Sequence, residues 1–230
     1  MAVNKVVFGA VSVIDISDST VTADTLAEGK TAYDKSGEKI TGTMASGGTT
    51  ATEPYIEETY DASGNLTSIV LHGYTKIRAS AFQRCTRLEL TSLPSGITSI
   101  GDYAFQSCAL IALTSLPSGI TSIGAYAFFG CAQLALTSLP SGVTSIGNSA
   151  FQNCTRLELT SLPSGITKIG NNVFYGCTGL KLTNLQSGIT SIGNYAFTNC
   201  TGLKSIVFGG KPTTISSTAF NGCTNLTSIK

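Results

Sequence analysis

Seven cysteines are the residues with the widest chemical reach, and they stand at 85, 108, 131, 154, 177, 200 and 223, each 23 residues after the last. A zinc site wants Cys-x-x-Cys pairs or nearby histidines, yet the nearest cysteines are 23 residues apart and His72 is the only histidine. Disulfides between stacked coils would meet the distance requirement, but the Cβ vectors of a ladder run parallel, which suits the bridge poorly, and seven is odd. The reading that remains treats each thiol as a small hydrophobe, packed beside the phenylalanine three residues before it. That core ladder pairs Phe82 with Cys85, Phe105 with Cys108, Phe128 with Cys131, Phe151 with Cys154, Phe174 with Cys177, Phe197 with Cys200 and Phe220 with Cys223. Beyond residue 61 the acids are Glu89, Asp102 and Glu158. Paired-carboxylate chemistry needs two acids close together, and Glu89 and Glu158 would lie three coils, or about 14 Å, apart. No Gly-rich phosphate loop followed by Lys-Ser or Lys-Thr, no His-Glu-x-x-His and no Gly-x-Ser-x-Gly occurs. The expectation is no enzyme, with no catalytic, cofactor-binding or metal-binding residue and no cofactor.

The elements that hold this ladder share its period. An isoleucine lies five residues before each phenylalanine, at 77, 100, 123, 146, 169, 192 and 215. A fixed period of this length marks a repeat architecture. One unit cannot fold alone. Leu90, Leu93, Ile97, Ile100, Phe105 and Cys108 each contribute about 1.5–3 kcal/mol on burial. Ordering 23 residues costs on the order of 23–46 kcal/mol, so units must stack into a solenoid. Within a unit, Leu88-Glu-Leu90 reads as a short strand, Pro94-Ser-Gly96 as a turn and Ile97 to Ile100 as a second extended piece. Gly101 breaks that piece, and Asp102 to Ser107 reads as a short helical turn with Asp102 at its cap.

Differences between units separate frame from surface. Positions two and four after each cysteine vary and alternate with leucines, which places Arg87, Glu89, Arg156, Glu158 and Lys181 on an outward face. A second variable set carries Tyr103, Tyr126, Phe129, Tyr175 and Tyr195, and aromatic residues on such a face can anchor a partner. These ten residues form the candidate binding surface. The competing reading packs the aromatics over the turns and assigns the Thr-Ser rows to backbone geometry.

The recurring Leu-Thr-Ser, then Pro-x-x-Ile-Thr-Ser-Ile-Gly-x-x-Ala-Phe-x-x-Cys, over residues 66–230 resembles the BspA-like leucine-rich repeat of bacterial surface proteins. The resemblance implies a leucine-rich-repeat solenoid, a right-handed coil of short β-strands and short helical turns. In the middle units the leucines fall three, five and eight residues after Cys, whereas Leu203-x-x-Ile206-x-Phe208 is nearer the family's spacing.

The rest of the chain divides as a small α+β N-terminal assembly module over 1–45, a linker over 46–54, a capping hairpin and first strand over 55–76, and the seven-unit solenoid over 77–230. In the first segment Lys5 to Ser17 reads as one or two strands, Thr22 to Gly29 as a short helix and Thr31 to Thr43 as a hairpin. The string Thr-Ala-Asp-Thr-Leu-x-x-Gly-Lys-Thr-Ala-Tyr-Asp resembles a module of tail-fibre and other tail proteins of phages and prophages, which implies mounting on a larger particle. Net charge is +1, but residues 1–61 hold ten acids against four bases (−6) and the remainder three acids against ten bases (+7), with the bases scattered. That balance gives no pull toward nucleic acid. No apolar run is long enough to insert in a membrane, and the N-terminus is a poor signal peptide.

The function expected is non-enzymatic binding or adhesion, the solenoid meeting a protein or glycan on a bacterial or host surface, mounted on a virion tail. A bacterial cell-surface adhesin and a structural spacer are the alternatives. Homo-oligomers are expected to form, if at all, through residues 1–45 or the open C-terminal coil.

Overall fold

The computed structural model describes residues 54–230 and the backbone of four short strands before them. Strands β1 (Lys5–Phe8) and β2 (Val11–Asp15) pair antiparallel, as do β3 (Thr31–Tyr33) and β4 (Lys39–Thr41). The helix expected over 22–29 lies outside the described residues, as does the linker apart from Pro54. The chain divides into two compact units between Tyr74 and Thr75.

In the first unit β5 (Tyr55–Tyr60) and β6 (Leu66–His72) form an antiparallel hairpin. Asp61 closes its turn by accepting the amides of Ser63 and Asn65, both at 2.9 Å. Residues directly opposite share a face, and Ile56 pairs with Leu71 while Glu58 pairs with Ile69. Ile56, Ile69 and Leu71 are buried, so Glu58 stands on the apolar face. Burial raises its pKa to about 7, although the Tyr60 hydroxyl, which donates to Oε2 at 2.6 Å, pulls the other way. A carboxyl that is more basic folded than unfolded stabilises the fold fully below its unfolded value of 4.5 and loses that contribution as pH rises through 7. Between these limits the hairpin should lose on the order of 1–3 kcal/mol. Glu58→Gln should flatten this slope, read by hydrogen exchange of the β5 and β6 amides at pH 5 and pH 8; an unchanged slope would remove Glu58 as its source.

In the second unit each coil presents three stretches of chain. The first carries in-register parallel pairs: β7 (Lys76–Ile77), β8 (Ser99–Ile100), β9 (Ser122–Ile123) and β10 (Ser145–Ile146) form one sheet. Along the same row β11 (Lys168–Ile169), β13 (Ser191–Ile192) and β15 (Thr214–Ile215) form another. Most of the isoleucines point inward, with Ile100, Ile123, Ile169 and Ile192 at most 3% exposed, while Ile215 in the last coil is 43% exposed.

The second stretch corrects the expected helical turn. Ser80, Phe82 and Arg84 donate their amides to Asp102, Ala104 and Gln106 of the following coil at 2.7–2.8 Å, and later coils repeat the pattern. Between them Gln83 and Cys85 close local turns onto Ser80 and Phe82. In each of the first six coils two residues take left-handed backbone, in the second coil Tyr103 (φ 58°) and Ser107 (φ 60°). Left-handed residues four apart prevent a helix, and every second amide turns toward the neighbour. Asp102 does not cap its own turn; its Oδ1 accepts the amide of Ala125 in the next coil at 2.6 Å.

Inside this stretch the phenylalanines stack from Phe82 to Phe220, with ring centroids 5.1–5.8 Å apart. The seven cysteines are free thiols. From Cys108 to Cys223 each Sγ–H donates to the phenylalanine carbonyl 26 residues earlier, at 2.8–3.0 Å. The proton is part of the frame. Burial pushes Cys131 up to about 12 and raises the other six as well.

The third stretch is also corrected. Leu88-Glu-Leu90 is not a strand, and coils there share only one or two bonds, such as Ala112 to Leu90 and Ala135 to Leu113 at 3.0 Å. Strands appear only in the last coils, as β12 (Asn184–Leu185), β14 (Ser205–Phe208) and β16 (Ser228–Ile229). Proline accounts for the earlier coils, although Gln186 at the same register has an amide and β12 still pairs only forward. Gly209 donates its amide to Leu185 at 2.6 Å, while earlier coils place Pro94, Pro117, Pro140 and Pro163 at that register, and proline has no amide to give.

Among the described residues no pairing joins β10 to β11. Here Val173 replaces the alanine of the other coils (81, 104, 127, 150, 196 and 219), and its Cγ2 packs beside Gly170. The Phe151–Phe174 separation, 5.8 Å, is the widest in the stack, and Ile146 is half-buried rather than buried. We attribute the seam to these extra methyl groups. Val173→Ala should close it. A recovered backbone hydrogen bond contributes about 1 kcal/mol, so amide exchange at Gly170 should slow about fivefold; faster exchange there would show that the seam has another cause.

Candidate ligand-binding surface

The variable positions after each cysteine form a polar row. Arg87 and Glu89 are exposed in the first coil, and Leu110 is exposed in the second. Arg156 Nη1 donates to Gln133 Oε1 at 2.6 Å, and Lys181 Nζ pairs with Glu158 Oε2 at 2.7 Å, both across one coil step. The Lys181–Glu158 side chains are about half exposed, so their pairing stabilises by about 1 kcal/mol at most. Within this row Lys181, Glu158 and Arg156 are engaged by their neighbours one coil away.

The aromatic set does not come together as a whole. Tyr103 and Tyr126 lie parallel, with centroids 5.0 Å apart and planes within 3°, and Phe129 meets Tyr126 at 5.9 Å and 46°. Tyr175 and Tyr195 stand apart from this cluster, one half-buried and the other exposed. Tyr103, Tyr126 and Tyr195 occupy left-handed backbone with φ of 55–58°, which costs roughly 1–2 kcal/mol for a residue with a Cβ. The same register carries Ser80, Ser149 and Asn172 in other coils. Tyrosine there works against the backbone, and what it adds is an aromatic surface.

The structure also shows a groove that the sequence reading missed. It has a volume of about 660 Å³ and runs over three coils, floored by Ser99, Ser122, Ser145 and the glycines that follow each strand, with Asp102 and Asn148 on its border. The signal was present as the serine of each Thr-Ser-Ile-Gly. The threonine beside it serves the frame: the hydroxyls of Thr98, Thr121, Thr144 and Thr190 donate to the threonine carbonyl one coil earlier at 3.0–3.4 Å. The serines are left facing the groove.

His72 stands 3.7 Å from Glu57. Among the described residues no group of three or more metal-ligating side chains converges, and no helix is long and apolar enough to cross a membrane.

The profile of the BspA type leucine rich repeat region matches residues 56–181 and 145–230 in six copies. Residues 1–55 lie outside that match, and with them the segment over 1–45 whose resemblance to phage tail proteins is drawn above. Among solved structures, the leucine rich repeat protein of T. pallidum is 26% identical, with a TM-score of 0.49 over 76% of this chain and 78% of its own. A leucine rich cell surface protein of Faecalibacterium prausnitzii is 25% identical, with a TM-score of 0.33 over 68% of this chain and 63% of its own. A leucine-rich repeat protein of Bacteroides ovatus is 19% identical, with a TM-score of 0.33 over 76% and 74%. The search of curated proteins finds no match. With the repeat profile spanning Ile56 to Lys230 and a 23-residue parallel coil behind it, the chain belongs to the BspA-type leucine-rich repeat family.

Proposed function

We propose that this protein is a non-enzymatic adhesin whose solenoid binds a protein or glycan on a bacterial or host surface. The observation that carries the proposal is the Tyr103–Tyr126–Phe129 cluster, built on backbone that disfavours tyrosine. Clustered, part-exposed aromatics are the side chains that dominate binding energy at interfaces. Family membership supports a place at a surface, since the repeat resembles that of bacterial surface proteins. The finer reading adds that residues 1–45 mount the solenoid on a phage or prophage tail, supported by the resemblance of that segment alone. Light scattering tests this addition: a trimer for the whole chain is expected, and a monomer throughout would sink it.

The binding role is tested with fluorescently labelled whole chain on fixed bacterial and epithelial cells. Replacing Tyr103, Tyr126 and Phe129 together by serine should weaken binding about thirtyfold, the effect of losing about 2 kcal/mol of anchor energy, while the circular dichroism spectrum and melting temperature persist. A spacer would show no change.

A further inference from the structure

Resting on that binding role, we propose that the ligand is a glycan, laid along the β8–β10 groove with the Tyr103–Tyr126 pair as its stacking platform. The groove-lining Asp102 and Ala125 are followed directly by Tyr103 and Tyr126, so platform and groove are neighbours in the same coils. Along the row the ring of Tyr103 lies between Tyr126 and the register of Ser80. Serine is too short to cover the ring, and Tyr103 is 36% exposed.

The polar groups around the groove are those that recognise hydroxyls. Ser99, Ser122 and Ser145 each offer a donor and an acceptor. Asp102 has Oδ1 held by the Ala125 amide, which fixes the carboxylate and leaves Oδ2 as an acceptor. Asn148 has Oδ1 held by the Asn171 amide at 2.9 Å, which leaves its NH2 as a donor. On one border of the groove the carboxylate accepts and, two coils on, the amide donates, with the row of serine hydroxyls running beside them. A sugar matches this set, with apolar C–H faces for the ring and hydroxyls for the rest.

Other ligand classes fit less well. An apolar peptide anchor needs an apolar pocket, and of the three isoleucines along this groove Ile100 and Ile123 are only 1–2% exposed, which leaves the half-buried Ile146 as its one accessible large apolar side chain. Strand addition needs an open sheet edge, and the groove lies on the face of β8–β10, whose backbone already pairs coil to coil. Nucleic acid needs clustered cations, and the border of the groove carries a carboxylate. The coils also repeat every ~4.8 Å, so a polymer of like units meets like groups at successive steps. The groove ends at Ile146 and Asn148, where the seam interrupts the sheet, which limits it to a short oligosaccharide.

The test uses the whole chain, labelled cells treated with periodate or with protease, and a panel of defined gluco-, manno- and galacto-oligosaccharides. Cell binding should survive protease and be lost after periodate. One oligosaccharide series should shift the ring resonances of Tyr103, and Ser122→Gln or Ser145→Gln, each checked for fold by circular dichroism, should weaken it at least tenfold. Binding that survives periodate but not protease would overturn the glycan and assign a protein ligand, with the adhesin role intact. Undiminished binding by both glutamine variants would overturn the groove. No binding to any cell by the unmodified chain would overturn the adhesin role itself, and this inference with it.

Discussion

Phe128→Ala should lower the unfolding free energy by about 3–5 kcal/mol, a large share of the roughly 5–15 kcal/mol that holds a typical domain. Phe128 is fully buried and stacks on Phe105 at 5.4 Å and on Phe151 at 5.6 Å. Deleting its ring removes two aromatic contacts and opens a void that the walls cannot close. The backbone at the site is pinned from both sides: Phe128 donates its amide to Ala150 at 2.8 Å, and the Cys154 thiol donates to the Phe128 carbonyl at 3.0 Å. Coils in a solenoid are stabilised by their neighbours, so the loss is felt by three coils at once. Phe220 makes the contrast. It stacks on one ring only, Phe197 at 5.1 Å, and is half-buried, so Phe220→Ala should cost less than half as much. Urea unfolding followed by far-ultraviolet circular dichroism measures both, and equal losses would show that the stack does not couple the coils.

The same ladder shows how much was legible in the sequence. A period of 23 residues with Ile, Phe and Cys at fixed offsets is sufficient for a solenoid, because apolar side chains that recur at fixed offsets mark an inward face, and in the inner coils nearly all of them are buried. The turn over Asp102 to Ser107 was misread as helical because Tyr103 and Ser107 carry no left-handed preference of their own. The informative column runs Arg84, Ser107, Gly130, Asn153, Gly176, Asn199 and Gly222. Glycine and asparagine recur there because φ is positive, and comparison down that column would have excluded a helix. The Leu88-Glu-Leu90 stretch alternates like a strand because both leucines are buried, but alternation reports burial and not pairing, and the missing amide of Pro94 and its counterparts decides the pairing. The groove was hidden for a related reason. Ser99, Ser122 and Ser145 are identical from coil to coil, so they resemble frame, and only the three-dimensional ladder shows that their threonine neighbours satisfy the backbone while they do not.

Gly124→Ala should destabilise the solenoid by about 3 kcal/mol or more, at or beyond the upper end of the usual cost of overpacking, although it adds one methyl group. A Cβ on Gly124 would run into the Asp102 amide nitrogen and stand 2.5 Å from the Gly101 carbonyl carbon and from Asp102 Oδ1. Two of these are backbone atoms of the preceding coil and cannot swing aside, so the methyl group fits only if the coils part. Parting them lengthens the 2.8 Å bond from the Gly124 amide to Ile100 and strains the hold of Asp102 on Ala125, which also deforms the groove border. Gly142 is the control. Its added Cβ would meet Ile120 O at 3.6 Å, an ordinary contact, and its backbone is not left-handed. Gly142→Ala therefore restricts the unfolded chain without straining the folded one, and should stabilise by about 0.4–1 kcal/mol. The two variants make the same chemical change, so opposite signs in one urea series would isolate the close approach of coils at the strand ends; like signs would mean that coil spacing there is loose enough to admit a side chain, and that the serine groove has no fixed floor.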